Sequence, residues 1–341
     1  MRNSPTDLIF RFFPGIALCC VISAASFGLQ AVGQLFFGHY FPEALVLAII
    51  LGVLCRSIFN SAQFPAFKRF DEGIGFSAHF LLELAVMLLG ASISTTIIMQ
   101  SGLQVLLSVA VVVFLSICIS YCIARALRLS STISLLLACG NSICGNSAIA
   151  AVAPVIGAKS DEIAPSIAFT AVLGVLAVLC LPLLVPILGF SDHQYGIFAG
   201  MTVYAVPQVL AATAPISAIS VQTGTIVKLI RVLMLGPVIF IISLIKGSSQ
   251  AQKTPLSRMV PWFIIGFIVL ALIRSLDFIP TFALTPINMT TVILTNISMA
   301  ALGLGVDIRA LARSGARVIF AAFLSLIALC TLAFIVIFNV L

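Results

Sequence analysis

A charge-free run extends from Phe12 to Gly38, longer than the roughly 20 apolar residues that one helical crossing of a bilayer needs. The pattern recurs down the chain. Uninterrupted apolar segments lie near 12–37, 76–98, 103–124, 163–188, 287–306 and 318–340, and shorter or charge-interrupted ones near 41–59, 222–245 and 259–276. The longest polar stretches, Arg56–Asp71 and Lys246–Arg258, are connectors rather than domains. Segments of this length cross as helices, so the expected fold is an all-α polytopic membrane protein, one transmembrane domain over 1–341 with about 9–11 crossings.

Composition closes off the soluble alternative. Of 341 residues, 62% are hydrophobic and 8% charged, against about 25% charged in soluble domains. The net charge of +7 comes from 17 Lys and Arg against 10 Asp and Glu, and its placement follows the membrane. Arg2 and Arg11 precede a first span too long for a signal-peptide core, which puts the N-terminus in the cytoplasm. With eleven crossings, 13 cations share the cytoplasmic face (Arg2, Arg11, Arg56, Lys68, Arg69, Arg125, Arg128, Lys246, Lys253, Arg258, Arg309, Arg313 and Arg317). Lys159 and Arg274 face outward, and Lys228 and Arg231 stay within a span. This positive-inside bias accounts for the basic excess without nucleic acid.

Two further segments, 132–157 and 195–215, are apolar but broken by Gly, Pro, Asn and Ser. Two internal similarities bear on them. Leu89-Gly90 with Ser101-Gly102 matches Leu302-Gly303 with Ser314-Gly315, and Ala150–Pro154 matches Ala211–Pro215. If the broken segments cross, the first pair is inverted and the second is not. If both re-enter as hairpins, nine spans remain, Lys159 joins the cytoplasmic side, and both similarities obey one inverted symmetry. Inverted repeats with broken helices mark secondary transporters.

The first break, Gly140–Ser147, is a tandem Gly-Asn-Ser that offers Asn141, Ser142, Asn146 and Ser147 as uncharged donors and acceptors. Asn146 or Ser147 as a cap would start a helix at Ala148, whose N-terminus suits an anion; close packing through small residues is the alternative. In the second break Pro207 lacks an N–H and releases a carbonyl upstream, while Tyr204 and Gln208, four apart, share a face if helical. A simple proline kink is the alternative there.

Lys228 and Arg231 are the sharpest feature. Only Val232–Ile245 separates them from Lys246, about 21 Å of helix against a core of roughly 30 Å. Both therefore lie at membrane depth, where function is the first reading and snorkelling the second. No acid occurs between Asp192 and Asp277, which leaves a bound anion to supply the missing charge. His79 and Glu83, near the cytoplasmic start of the third span, are candidates for ion coupling or for pairing with those cations; an interfacial placement is the alternative. Asp307 beside Arg309 reads as a solvated helix end. The nine cysteines lack neighbouring His or carboxylates and read as small buried side chains rather than metal ligands.

In these blocks the chain resembles the YeiH-like inner-membrane proteins, a family named for sulfate export. The stretches are GNSICGNSAIAAVAPVIGAKSDEIAPSIA, AGMTVYAVPQVLAAT and GTIVKLIRVLMLGP. The resemblance implies a carrier in a bacterial inner membrane. The family pattern has His followed by an acid where this chain has Tyr204-Ala205, and a non-proline at Pro207, which argues against proton coupling at this break.

The expected function is secondary transport of a small anion (sulfate, sulfonate or dicarboxylate-like) by alternating access, without a cofactor. Asn141, Ser142, Asn146, Ser147, Tyr204, Gln208, Lys228 and Arg231 would bind it. The competing reading is an anion channel built from the same elements. A membrane enzyme lacks a catalytic motif. A proton or sodium ion for coupling, surrounding lipid and a homodimeric partner complete the open set.

Overall fold

The computed structural model describes residues 5–37, 42–59, 69–92, 102–246, 262–276, 278–306 and 315–339. Asp307 and Arg309, and Ser101 and Ser314 of the repeated pairs, lie outside the described residues. Among the described residues, seven helices are long and apolar enough to cross a membrane, and Ala44–Ile58 and Trp262–Ser275 are shorter apolar helices. Every one of these overlaps a span expected from the sequence. The chain divides into two compact units, 1–93 with 266–307, and 94–265 with 308–341.

The first unit contains α1 (Pro5–Phe37), α2 (Ala44–Ile58), α3 (Asp71–Phe76), a π-helical turn at Ser77–Leu81 and α4 (Leu82–Leu89). The long Thr281–Leu304 helix of its C-terminal part completes it. Apolar helices in lipid gain little from apolar contact, so close approach must come from small residues. A Cβ on Gly15 would lie 2.6 Å from the Gly73 Cα, and one on Gly52 2.9 Å from the Gly303 Cα. These two glycine pairs are backbone-to-backbone crossings, of α1 with α3 and of α2 with Thr281–Leu304. Between them Asn296 donates to the Ser23 and Ser26 hydroxyls at 2.9 and 2.8 Å. At one end Arg11 pairs with Glu72, and Arg56 with Asp71 at 2.9 Å.

The second unit runs through α5 (Gly102–Ala126), α6 (Ser131–Ser142), α7 (Asn146–Ile156), α8 (Ser160–Cys180), α9 (Leu184–Leu188), α10 (Asp192–Thr202), α11 (Val206–Thr213), α12 (Ala218–Leu233) and α13 (Leu235–Lys246). The helix Trp262–Ser275, here α14, carries the chain from this unit back to the first. Thr281–Leu304 is α15, and α16 (Ala316–Asn339) returns to the second unit. Local sequence sets the ends. Ser130, Ser191 and Ser217 accept backbone N–H bonds at the starts of α6, α10 and α12, and Gly157 and Gly189 close α7 and α9 in the left-handed conformation.

Both broken segments double back. The Tyr195 hydroxyl donates to the Ala212 carbonyl at 2.8 Å, although 17 helical residues in line would separate them by about 25 Å. Likewise a Cβ on Gly140 would lie 2.9 Å from Ile149 Cδ1. The ends of each segment also meet: Ser130 bonds Glu162 at 3.4 Å, and Ser220 bonds the Asp192 carbonyl at 2.7 Å. So α6–α7 and α10–α11 are re-entrant hairpins. A spanning stretch, Pro165–Leu188, lies between them, so they enter from opposite ends of the unit. Of the two arrangements open in the sequence, the described residues show the one in which both segments double back.

Candidate functional site

Each hairpin turns through three residues, Ile143–Gly145 and Val203–Ala205. Turning so tightly leaves carbonyls without helical partners. Val203 O loses its donor because residue 207, four positions on, is proline, as the sequence implied. The tips also need room. Gly145 adopts φ 63 and ψ −123, and a Cβ there would lie 3.3 Å from the Tyr204 Cβ. Only glycine takes that conformation without strain, and its missing side chain lets the second tip pack against the first.

Lys228 and Arg231 enter this junction from the middle of the Ala218–Ile245 span, at 0% and 1% exposure. Lys228 Nζ donates to Ile143 O at 2.5 Å and Val203 O at 2.9 Å. Arg231 donates to Ser142 O, Gly200 O, Val203 O and Asn141 O, each at 3.1 Å. These carbonyls are the C-terminal ends of α6 and α10 and the turns that follow. A helix C-terminus carries about half a negative charge, and these two basic side chains meet both of those ends.

The other candidates fall into two groups. Asn141 is locked: its Nδ2 donates to Ser120 Oγ and Ser325 O at 3.2 and 3.1 Å, and its Oδ1 accepts from Tyr204 at 3.0 Å. Ser142 shares a 2.7 Å bond with Ser116. Asn146 is half-buried and Ser147 exposed. Asn146 Oδ1 accepts from the Thr170 hydroxyl, and Gln208 Oε1 accepts from Ala205 N at 3.2 Å. Both amide oxygens are thus engaged, while both NH₂ groups have no acceptor among the described residues. Each side chain thus keeps an N–H donor for an acceptor group.

Two local expectations are corrected. Helix α7 begins at Asn146 rather than Ala148, with Gly145 as its cap and no side-chain cap bond; the positive φ of Gly145 ends the turn two residues early. Tyr204 and Gln208 do not share a helix face, because Tyr204 lies in the turn before α11. Tyr204 reaches across to the first hairpin, whereas Gln208 packs against Gly174, where a Cβ would lie 2.4 Å from Gln208 Nε2. His79, exposed in the π turn, and Glu83, in α4, belong to the first unit. Among the described residues, every hydrogen bond of Lys228 and Arg231 goes to a backbone carbonyl of the second. The cysteines are mixed: Cys19, Cys139 and Cys144 are buried, whereas Cys20, Cys118, Cys122 and Cys180 stand on the surfaces of apolar helices.

Sequence reading missed Ser116, Ser120, Thr170 and Gly174, which support the site. A signal existed, since each pair sits four apart in an apolar span and therefore marks one helix face.

A family model described as Conserved hypothetical protein 698 matches residues 14–322. The UPF0324 membrane protein of Brucella melitensis is 54% identical over 95% of this chain and 90% of its own length. That of Bradyrhizobium diazoefficiens is 54% identical over 94% and 91%, and that of Bacillus anthracis 31% identical over 96% and 95%. No solved structure matches.

Proposed function

From the premise that this chain belongs to the YeiH-like UPF0324 family of membrane proteins, we propose that it is a secondary transporter of a small anion. The observation that carries the reading is the junction itself: two re-entrant hairpins, entering from opposite ends, meet at two buried cations in mid-span. Broken helices that place their ends around a central site are the architecture of secondary carriers. The anion would be held by Asn146, Ser147 and Gln208 and by the N-terminal end of α7. Lys228 and Arg231 would act through their field, with Asn141, Ser142 and Tyr204 fixing the tips. A sulfate, sulfonate or carboxylate group, which offers acceptors only, fits that donor set.

The sequence bias of cations supports an N-terminus in the cytoplasm of a bacterial cell and a position in the inner membrane. Thermal stability of detergent-purified protein against sulfate, thiosulfate, sulfonates, dicarboxylates and chloride tests the reading, because a ligand of the folded state raises apparent stability by mass action. A selective rise that Gln208→Glu loses is the expected result. A flat panel in proteoliposome flux and stability alike would overturn it. Ohmic, uncoupled anion currents would move the assignment to a channel.

A further inference from the structure

Unwound carbonyls at the ends of half-helices are the groups with which broken-helix carriers hold a metal cation. Here the carbonyls of Ile143 and Val203, one from each tip, converge on a point occupied by Lys228 Nζ. The side chain is wholly buried. Among the described residues no carboxylate accepts from it, and its partners are carbonyl oxygens alone. Its neighbour Arg231 donates to the same Val203 oxygen, so the two basic side chains share a carbonyl where a salt bridge would show a carboxylate. The other ionisable groups at the junction are thiols and a phenol, Cys144 of the first tip, Tyr204 of the second and Cys330 of α16.

We propose that Lys228 is a tethered cation: its ammonium fills a primary-ammonium site formed by the two hairpin tips, and so takes the place of a free ion in holding them together. The carbonyl geometry, not the identity of any transported solute, is the basis, so the proposal stands or falls separately from anion transport. It follows that tip closure requires no external sodium.

Truncation with rescue tests it. Lys228→Ala removes the stem and ammonium but leaves the two carbonyls and a channel of propyl length. Purified Lys228→Ala should show a lowered Tm that n-propylammonium raises saturably, recovering at least half of the loss. N-methylglucamine at equal ionic strength should not reproduce the effect, and wild type should respond to neither. A rise with sodium as well would place a metal ion in the same cradle and support the proposal. An identical response of wild type and variant, or none from a monodisperse variant, would overturn it. Should Lys228→Ala not fold, Lys228→Gln decides. It offers two N–H donors without charge, so wild-type stability in that variant would show that hydrogen bonding suffices and no cation site exists, whereas a Tm well below wild type is the supporting result.

Discussion

Arg231→Ala should be among the most destabilising substitutions in the second unit, and the structure sets its size. Four carbonyls accept from the guanidinium, and one of them, Val203 O, also has Lys228. Deletion therefore strands three, Asn141 O, Ser142 O and Gly200 O. At about 1–3 kcal/mol for each buried group left unsatisfied, the gross loss is roughly 3–9 kcal/mol. Removing the guanidinium also relieves the cost of burying it, which favours the lower part of that range, about 3–5 kcal/mol. Lys228→Ala strands only Ile143 O and should cost about 1–3 kcal/mol. Reversible unfolding in mixed SDS micelles, followed by far-ultraviolet circular dichroism, measures both. Arg231→Ala within about 0.5 kcal/mol of wild type, the range of an inconsequential surface change, would refute the argument. So would a larger loss for Lys228→Ala.

Other outcomes follow from the same geometry. Gly145→Ala must take a backbone conformation closed to L residues beside Tyr204, and should lower stability by about 1–3 kcal/mol in the same unfolding assay. Gly174→Ala displaces only the flexible end of Gln208; it should fold normally yet weaken anion binding, visible as a diminished ligand-induced Tm shift. Gln208→Glu keeps an acceptor for Ala205 N but replaces the free donor with negative charge, so anion-dependent stabilisation should vanish while melting without ligand stays close to wild type. In a cysteine-free background, single cysteines at Arg128 and Ala158 should label with an impermeant thiol reagent from one face, and Ser191→Cys from the other. Labelling at 128 and 158 from opposite faces would mean that the first hairpin crosses.

Much of the fold was legible because the signal is additive: each span announces itself through some twenty apolar residues. The site was legible in part. Lys228 and Arg231 stand out because charge at membrane depth is rare, and the Gly-Asn-Ser tandem and Pro207 mark where helices must break. What those breaks do was not readable, since crossing and doubling back use the same composition. The difference lies in long-range bonds such as Tyr195 to Ala212. Nor does the sequence reveal that the two cations are met by carbonyls. A charge without a nearby acid suggested a bound anion, because backbone oxygens leave no mark in the sequence. Thr170 and Gly174 escaped for the opposite reason, being ordinary small residues whose roles depend on Asn146 and Gln208, distant partners in the chain.

The sharing of Arg231 between the hairpins has a mechanical consequence. One guanidinium grips Asn141 and Ser142 on one side and Gly200 and Val203 on the other, while its own helix, α12, supplies the axle. Neither tip can swing alone without breaking several charge-assisted bonds at once, each stronger than a neutral one. Independent gates that open by turns are therefore an expensive motion for this architecture. Movement that carries α12 and both tips as a single block leaves every one of those bonds intact.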